Sequence, residues 1–236
     1  MKGPKISVVF PVYNEDYIIE RTVRSYYNEL KGKIDFEMII AEDGSTDGTK
    51  AILTRLKKEL PIRVYMSDAR KGYQKAVIDS LKHPKHDWIF LVDSDYQFEP
   101  YDLWKLLPYA GEYDIVLGMK VDRKDPLYRI ILSKGFNFLL RLFFGVPYRD
   151  MDTGYRLIRK DVLDKVVRDI HCLKYFTSEL VIRSHCRGYR IKEVPVMHFK
   201  RKKGSTNVFP IRRIPLVIWE ELRGLIRLRL DPKLKG

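Results

Sequence analysis

The sequence predicts an α/β fold with a mostly parallel, doubly wound sheet, and three observations support this prediction. Short β-branched and aromatic runs alternate with segments of helical period through the first half of the chain. The loops between them carry the Pro, Gly, Ser and Asp residues that turns favour. The composition, 45% hydrophobic and 32% charged over 236 residues, is that of a folded globular chain. We therefore expect helices on both faces of an open sheet.

The elements are predicted in the order strand, helix, strand, helix, strand, helix, strand. The predicted strands cover residues 6–10, 36–41, 62–66 and 88–92. The predicted helices cover residues 16–30, the segment from the Ser-Thr-Asp-Gly capping turn at 45–48 to residue 60, and residues 73–81. After about residue 120 the alternation fades into a helical stretch, mixed elements and a final helix.

Charge and cysteine content limit the possible partners and the compartment. The formal net charge of +14 attracts polyanions, so nucleic acid, an anionic bilayer and phosphorylated substrates are all admissible. Cys172 and Cys186 lack the spacing of a metal site, which favours free thiols in a reducing cytoplasm. No segment reaches the ~20 apolar residues of a membrane-spanning helix, so we expect any membrane contact to be at the surface.

Two carboxylates follow the most apolar predicted strand, where ligands of open parallel sheets bind. Asp93 and Asp95 would be costly there without a partner, and a divalent cation would satisfy them. Oxygen ligands suit Mg²⁺ or Mn²⁺, and Gln97 adds a neutral oxygen. The alternative is an acidic turn that caps the helix near Pro100.

The loops after the first two predicted strands also carry candidate ligand groups. The carboxylates of residues 42–49 could accept hydrogen bonds from a base or a ribose hydroxyl. Residues 11–15 could supply an aromatic face and a carboxylate to a nucleoside. Either loop could equally be an ordinary strand-to-helix connection.

Taken together, three motifs resemble glycosyltransferase family 2, the inverting enzymes of GT-A fold. They are Pro-Val-Tyr-Asn-Glu at 11–15, Glu-Asp-Gly-Ser-Thr-Asp-Gly-Thr at 42–49 and Asp-Ser-Asp-Tyr-Gln at 93–97. Arg-Lys-Gly at 70–72 and Gly-Met-Lys at 118–120 are similar to further motifs of that family.

The second half resembles one branch of the family, the polyprenyl-phosphate glycosyltransferases that include dolichol-phosphate mannose synthase. The resemblance rests on residues 150–156, 176–179, 188–196 and 201–205. Two departures leave the donor open: Lys120 stands where arginine is common, and Asn207 where the mannose synthases usually have lysine.

The resemblance implies a role for each matching residue. Residues implied in nucleotide-sugar binding are Pro11, Tyr13, Glu15, Ala41, Asp43, Lys71, Asp93, Ser94 and Lys120. Those implied in Mg²⁺ or Mn²⁺ binding are Asp93, Asp95 and Gln97. The implied catalytic residues are Asp95, Asp152, Glu179 and Arg201, and the implied ligands of an acceptor phosphate are Arg129, Ser133, Arg201 and Lys202.

The implied activity is transfer of a sugar, with mannose or glucose favoured, from a UDP- or GDP-sugar to polyprenyl or dolichyl phosphate. We expect a nucleotide-sugar-binding core at 1–120, an acceptor-side elaboration of the same domain at 121–207, and a basic amphipathic helix at 208–236. The last segment and an amphipathic helix at 126–144 would rest on the anionic cytoplasmic face of a membrane, as a peripheral protein does. Alternatively, these apolar stripes pack on the protein's own core.

Three other functions are compatible with parts of the sequence. A soluble family 2 enzyme acting on a saccharide or protein hydroxyl would need Asp152 or Glu179 as a base. A sugar-nucleotide pyrophosphorylase would carry a Gly-rich basic loop where residues 11–15 stand. A basic nucleic-acid-binding protein is disfavoured, and no nucleic acid is expected, because acidic residues cluster at the predicted ligand edge.

Overall fold

The structure is a computed structural model that describes residues 4–173, 176–201 and 214–236. Within these residues seven strands form one sheet, in the order β3-β2-β1-β4-β6-β5-β7. Strand β6 is antiparallel to its neighbours β4 and β5, and every other pairing is parallel. The strands are β1 (Ile6–Val12), β2 (Phe36–Glu42), β3 (Arg63–Met66), β4 (Trp88–Val92), β5 (Ile115–Val121), β6 (Tyr155–Arg159) and β7 (Ile191–Met197).

Helices cover both faces of the sheet, as the alternation predicts. Helices α1, α2 and α4 supply core residues to one face, and α3, α5, α6, α7 and α8 to the other. Their bounds are α1 (Ile19–Leu30), α2 (Thr49–Glu59), α3 (Tyr73–Ser80), α4 (Leu103–Leu106), α5 (Leu127–Phe144), α6 (Lys160–Val166), α7 (Phe176–Cys186) and α8 (Ile214–Leu230).

The central strands are buried on both faces because successive side chains point to opposite sides. In β1, Val9 belongs to the core layer of α3 and α5 to α8, whereas Val8 and Phe10 belong to the layer of α1, α2 and α4. Strand β1 is buried along its whole length, and so is β4. These rigid strands fix the positions of the loops that follow them.

The predicted elements of the first half are confirmed with small shifts at their ends. Strand β1 continues through Pro11 to Val12, and α1 begins at Ile19 rather than at residue 16. Strands β5, β6 and β7 lie within the segments for which no strand was predicted. Because β6 pairs with β4 on one side and with β5 on the other, it connects β5 and β7 to the first four strands, and the two halves share one sheet.

The apolar stripe of α5 is divided between the core and the surface. Leu140 is fully buried and Leu139 and Phe143 pack against the same core, whereas five large hydrophobic side chains are exposed. These are Leu127, Tyr128, Ile131, Phe138 and Leu142. Packing on the protein's own core therefore holds for part of this stripe, and contact of the exposed part with a membrane stays a prediction.

Helix α8 shows the same division and packs near α5. Leu225 and Leu228 are buried in the core. The exposed large apolar side chains of α8 are Leu216, Ile218, Trp219, Ile226 and Leu230. Among the described residues, no helix combines the length and the apolar character that crossing a bilayer requires.

Candidate active site at the carboxyl edge of the sheet

Two loops at the carboxyl edge, those after β1 and β2, are bound to each other. The Asn14 side chain accepts a hydrogen bond from the Thr46 N–H (2.9 Å), and the Asn14 N–H donates to Ser45 Oγ (3.0 Å). The Glu15 N–H donates to Thr49 Oγ1 (2.9 Å). The two predicted nucleoside motifs therefore form one unit, in which Tyr13 stands beside the second loop.

Asp43 holds the third loop, which connects β3 to α3. One carboxylate oxygen accepts from the Lys71 N–H (2.8 Å) and the other from the Gly72 N–H (3.0 Å). The Arg70 guanidinium lies over the Tyr13 ring, 4.1 Å from its centroid, so the third loop also contacts the first. Asp43 thus builds the loop, while each of its oxygens keeps a second lone pair.

Gly44 is required where the second and third loops touch. Its φ is +69°, and a Cβ there would lie 2.4 Å from the backbone of Ala69. Since backbone atoms cannot yield cheaply, only glycine fits this close approach.

Asp93 and Asp95 lie directly after β4 and destabilise each other's charge. Burial, together with the charge of Asp95, raises the pKa of Asp93 to about 7. Burial also raises the pKa of Asp95, against the opposing effect of Arg201. Two carboxylates that repel each other in a water-poor position are a suitable oxygen donor set for a divalent cation.

Gln97 lies beside this pair, but its side chain is directed toward the end of β7. Its amide Nε2 donates to the Phe199 carbonyl (2.8 Å), and its backbone N–H donates to Asp95 Oδ1 (3.2 Å). Gln97 thus holds Asp95 through its backbone N–H. The role of the Gln97 side chain as a metal ligand stays a prediction.

Arg201 joins the first loop to the carboxylate pair. It forms an ion pair with Glu15, and its Nε donates a hydrogen bond to the Tyr17 hydroxyl (2.8 Å). Its Nη1 lies 3.7 Å from Asp95 Oδ2. Glu15, predicted to contact a nucleoside, therefore also anchors Arg201. Lys202, predicted to bind an acceptor phosphate, lies outside the described residues.

Lys120 on β5 forms a second charged cluster with two carboxylates of the loop before β6. Its Nζ lies 3.2 Å from Asp150 Oδ1 and 3.7 Å from Asp152 Oδ1. Burial raises the pKa of Asp150 to about 7. Burial acts in the same sense on Asp152, but the Lys120 charge and hydrogen bonds outweigh it and hold the pKa of Asp152 well below its usual range.

Helix α5 supplies the polar partners of Asp152. Ser133 Oγ donates to Asp152 Oδ2 (3.1 Å), and Asn137 Nδ2 donates to Asp152 Oδ1 (3.1 Å). Arg123 Nη1 in turn donates to Ser133 Oγ (2.9 Å). Arg129, predicted to bind an acceptor phosphate, pairs with Asp125. Its Nη1 lies 3.7 Å from Asp125 Oδ1.

A family profile matches the region of the chain that contains the loops after β1, β2, β3 and β4. The profile of glycosyl transferase family 2 matches residues 7–167. The chain belongs to glycosyl transferase family 2. This confirms the family predicted from the three motifs.

Two relatives of this family 2 chain extend well beyond it. It is 31% identical over 245 residues to glycosyltransferase AglD of Haloferax volcanii, an alignment that covers 98% of the chain and 39% of AglD. It is 27% identical over 219 residues to the undecaprenyl-phosphate 4-deoxy-4-formamido-L-arabinose transferase of Pectobacterium carotovorum, covering 90% of the chain and 65% of that protein. The predicted resemblance to the polyprenyl-phosphate branch is confirmed by this second relative.

Solved structures confirm the GT-A-like fold of the family 2 chain. Glucosyl-3-phosphoglycerate synthase from Mycobacterium tuberculosis, in complex with Mn²⁺, UDP and phosphoglyceric acid, matches with a TM-score of 0.74 at 21% identity. That match covers 98% of this chain and 80% of the synthase. The same synthase with Mg²⁺ and UDP matches with a TM-score of 0.72 at 20% identity, over 96% of this chain and 79% of the synthase.

Glu179, predicted to be catalytic in this family 2 chain, has a fully buried carboxylate. One oxygen accepts from the His171 N–H (3.0 Å), and the other from the N–H groups of Cys172 (2.8 Å) and Leu173 (2.7 Å). Arg183 Nε donates to the same oxygen as His171 (2.8 Å). These contacts give Glu179 a structural role at the start of α7, with no oxygen exposed to a substrate.

Several residues of the site were not assigned a role from the sequence. Tyr17, Arg123 and Asn137 bind the predicted residues Arg201, Ser133 and Asp152. Asn137 could have been found, because it is a polar residue on the core side of an apolar helix. Arg156 is fully buried in β6, where the charges of Asp93 and Asp152 act on it, and although it ends the motif at 150–156 it received no role from the sequence.

Proposed function

We propose that this chain is the catalytic part of an inverting glycosyltransferase that moves a sugar from a UDP- or GDP-sugar to polyprenyl or dolichyl phosphate. The observation that carries the proposal is the Asp93 and Asp95 pair at the strand edge. On one side, Arg201 connects Asp95 to Glu15 of the first nucleoside loop. On the other side, the charge of Lys120 acts on Asp93. Donor and acceptor can thus meet at one place.

A divalent metal ion, Mg²⁺ or Mn²⁺, belongs to the proposal. Asp93 and Asp95 fit such an ion, because two mutually destabilised carboxylates offer it hard oxygen ligands. Support comes from the M. tuberculosis synthase, whose structures contain Mn²⁺ or Mg²⁺ together with UDP. When bound, the ion would neutralise charge on the departing nucleotide diphosphate.

Arg201 and Lys120 are proposed to act on the same developing charge. Arg201 lies 3.7 Å from Asp95, and the Lys120 side chain, on β5, is almost completely buried with its Nζ 3.2 Å from Asp150. Fixed positive groups in a site that excludes water stabilise an anionic leaving group without reorganising. A sugar positioned between them would be held for attack on its anomeric carbon.

The acceptor chemistry favours a phosphate over a hydroxyl. A phosphate monoester loses its second proton at a pKa of ~6, so it is already a nucleophile at neutral pH and needs no general base. A hydroxyl acceptor would need one, and Asp152, whose pKa is held low by Lys120, is poorly suited to take a proton. Glu179 has no free access to a substrate.

The acceptor phosphate is proposed to bind near Ser133 and Arg129 at the start of α5. Arg123 lies 2.9 Å from Ser133, whose hydroxyl donates to Asp152, and Arg129 and Arg123 both contact Asp125. The undecaprenyl-phosphate transferase from P. carotovorum supports a polyprenyl phosphate as the acceptor class. Mannose and glucose remain the sugars we favour on the resemblance.

The exposed apolar side chains of α5 and α8 are proposed to rest on the cytoplasmic face of a membrane. Each helix also carries basic residues beside them, including Lys134 on α5 and Arg223, Arg227 and Arg229 on α8. Apolar residues inserted at the interface, with cations near anionic headgroups, bind a helix to a bilayer surface. This would bring the start of α5 to the lipid acceptor.

The test is transfer of label from a panel of UDP- and GDP-sugars into the organic phase. Polyprenyl phosphate and Mn²⁺ or Mg²⁺ are supplied, and wild type is compared with Asp95→Ala. The control is Glu112→Ala, which removes an exposed carboxylate before the amino end of β5. We expect one nucleotide sugar to label the lipid with wild type and the control, and at least ~100-fold less with Asp95→Ala. Label in the lipid that is unchanged by Asp95→Ala, or absent with every donor, would contradict the proposal.

A further inference from the structure

The antiparallel strand β6 enters the sheet directly beside Asp93. Val92, the last residue of β4, pairs with Tyr155, the first of β6. The Asp93 N–H donates to the Gly154 carbonyl (2.9 Å), which extends this pairing by one residue. Gly154 is therefore the neighbour of Asp93 across the strands.

The Asp93 carboxylate occupies the space that a side chain at position 154 would need. A Cβ on Gly154 would lie 1.7 Å from Asp93 Oδ2, 2.2 Å from Cγ and 2.7 Å from Oδ1. Carbon and oxygen atoms that are not bonded cannot approach so closely. The observed orientation of the carboxylate thus exists only with glycine at 154.

The three atoms nearest to the added Cβ belong to a side chain and not to the backbone. Gly154 has no positive φ, so alanine can adopt its backbone conformation. Asp93 can relieve the overlap by rotating about its side-chain bonds, which leaves the strands in place. A methyl group at 154 would therefore reorient one carboxylate and preserve the fold.

From this geometry we propose that Gly154 is a positioning residue, which directs the Asp93 carboxylate toward the divalent metal ion shared with Asp95. The inference rests on the metal site of the proposed function. The Tyr73 hydroxyl is a second neighbour of this carboxylate, 3.5 Å from Oδ1. A methyl group at 154 would occupy the space of the carboxylate and so remove its observed orientation.

The test is Mn²⁺ binding to Gly154→Ala, measured from the electron paramagnetic resonance signal of free Mn²⁺, with and without UDP or GDP. The control is Gly135→Ala in α5, where an added Cβ meets no atom within 4 Å. We expect a Kd for Mn²⁺ at least ~10-fold higher in Gly154→Ala and unchanged in the control. Both variants should keep a cooperative thermal melt.

A double-mutant cycle with Asp93→Asn shows whether the effect passes through Asp93. Asparagine has nearly the shape of aspartate but is a weak Mn²⁺ ligand, so Gly154→Ala should change the Kd little in the Asp93→Asn background. An equal loss in both backgrounds would overturn the proposal, as would loss of the cooperative melt, since the backbone would then be displaced.

The remaining outcomes separate this inference from the proposed function. If Asp95→Ala weakens Mn²⁺ binding but Gly154→Ala behaves like Gly135→Ala, the positioning role is wrong and the metal site stands. If wild type does not bind Mn²⁺ with either nucleotide, the metal site and the inference both fail.

Discussion

At the scale of single residues, Asp93, Asp95 and Glu179 are carboxylates with different partners. Asp93 and Asp95 stand together because they follow a buried strand, which the apolar run at 88–92 indicates. Glu179 instead binds backbone N–H groups and Arg183, a partnership that depends on where the segment before α7 folds. A motif gives chain position, whereas burial and hydrogen bonding depend on contacts between distant residues.

Asp93→Asn should stabilise the metal-free protein at alkaline pH. The pKa of Asp93 is about 7 in the folded protein and ~3.9 in the unfolded chain, so the folded state holds the proton more tightly. The ionised carboxylate therefore destabilises the fold progressively as pH rises from about 4 to about 7. With EDTA present, we expect the variant to be more stable by about 1–2 kcal/mol at pH 8, allowing for solvent screening, and not at pH 4.

Urea denaturation at the two pH values measures this difference. Added Mn²⁺ should stabilise wild type and leave Asp93→Asn nearly unchanged, because only the native wild-type site binds the ion. Equal stabilities of the metal-free proteins at pH 8 would show that Asp93 carries no such cost.

Glu179→Gln should lower stability without changing metal binding. Its carboxylate is paired with Arg183 in a fully buried position, and removing one charge of such a pair costs up to about 3–5 kcal/mol, with Asp231 as the remaining partner of Arg183. We expect a clear fall in the thermal midpoint and an unchanged Kd for Mn²⁺, measured below that midpoint. A stable variant that has lost transfer activity would instead support the catalytic role predicted from the sequence.

At the scale of elements, the first four strands were predictable because each is a short apolar run followed by a helical period. Strands β5 to β7 were not, because they include charged residues such as Lys120, Arg156 and Glu193. The insertion of β6 between β4 and β5 is a long-range pairing that no local pattern indicates. Helix α5, whose period is strong, was predicted within one residue of its observed start.

The exposed face of α5 should determine binding to lipid vesicles. Phe138→Ser and Leu142→Ser each remove a large exposed apolar side chain, whose burial is worth about 1.5–3 kcal/mol. We expect the partition coefficient on anionic vesicles to fall roughly 10-fold for each. Tyr101→Ser, which changes an equally exposed ring outside α5 and α8, serves as the control in the sedimentation assay.

If the two α5 variants bind vesicles like Tyr101→Ser, this face does not meet the bilayer. Binding that is lost equally in all three variants would indicate a general effect of surface polarity and would contradict a membrane face on α5.

At the scale of the whole molecule, the net charge of +14 predicts an electrostatic contribution to membrane binding. Basic residues near a bilayer contribute about 1 kcal/mol each with anionic lipid, and salt screens them. Fold class followed from strand and helix alternation. The surface on which the positive charge lies could not be predicted in this way, because composition does not give the positions of the charged residues in the fold.

Vesicle binding should therefore depend on lipid charge and on salt. We expect binding to phosphatidylglycerol-containing vesicles to fall several-fold between about 50 mM and 500 mM NaCl, and binding to pure phosphatidylcholine to be weak at both. Equal binding to neutral and anionic vesicles would show that only the apolar residues act.

Two acceptors of equal chain length, polyprenyl phosphate and polyprenol, distinguish transfer to a lipid phosphate from transfer to a lipid hydroxyl. The reaction contains the active nucleotide sugar and Mn²⁺, and mass spectrometry of the organic phase identifies the product. We predict a glycosyl phosphate lipid from polyprenyl phosphate and no glycosylated product from polyprenol. Glycosylation of the polyprenol hydroxyl, or transfer to a soluble saccharide alone, would contradict the account.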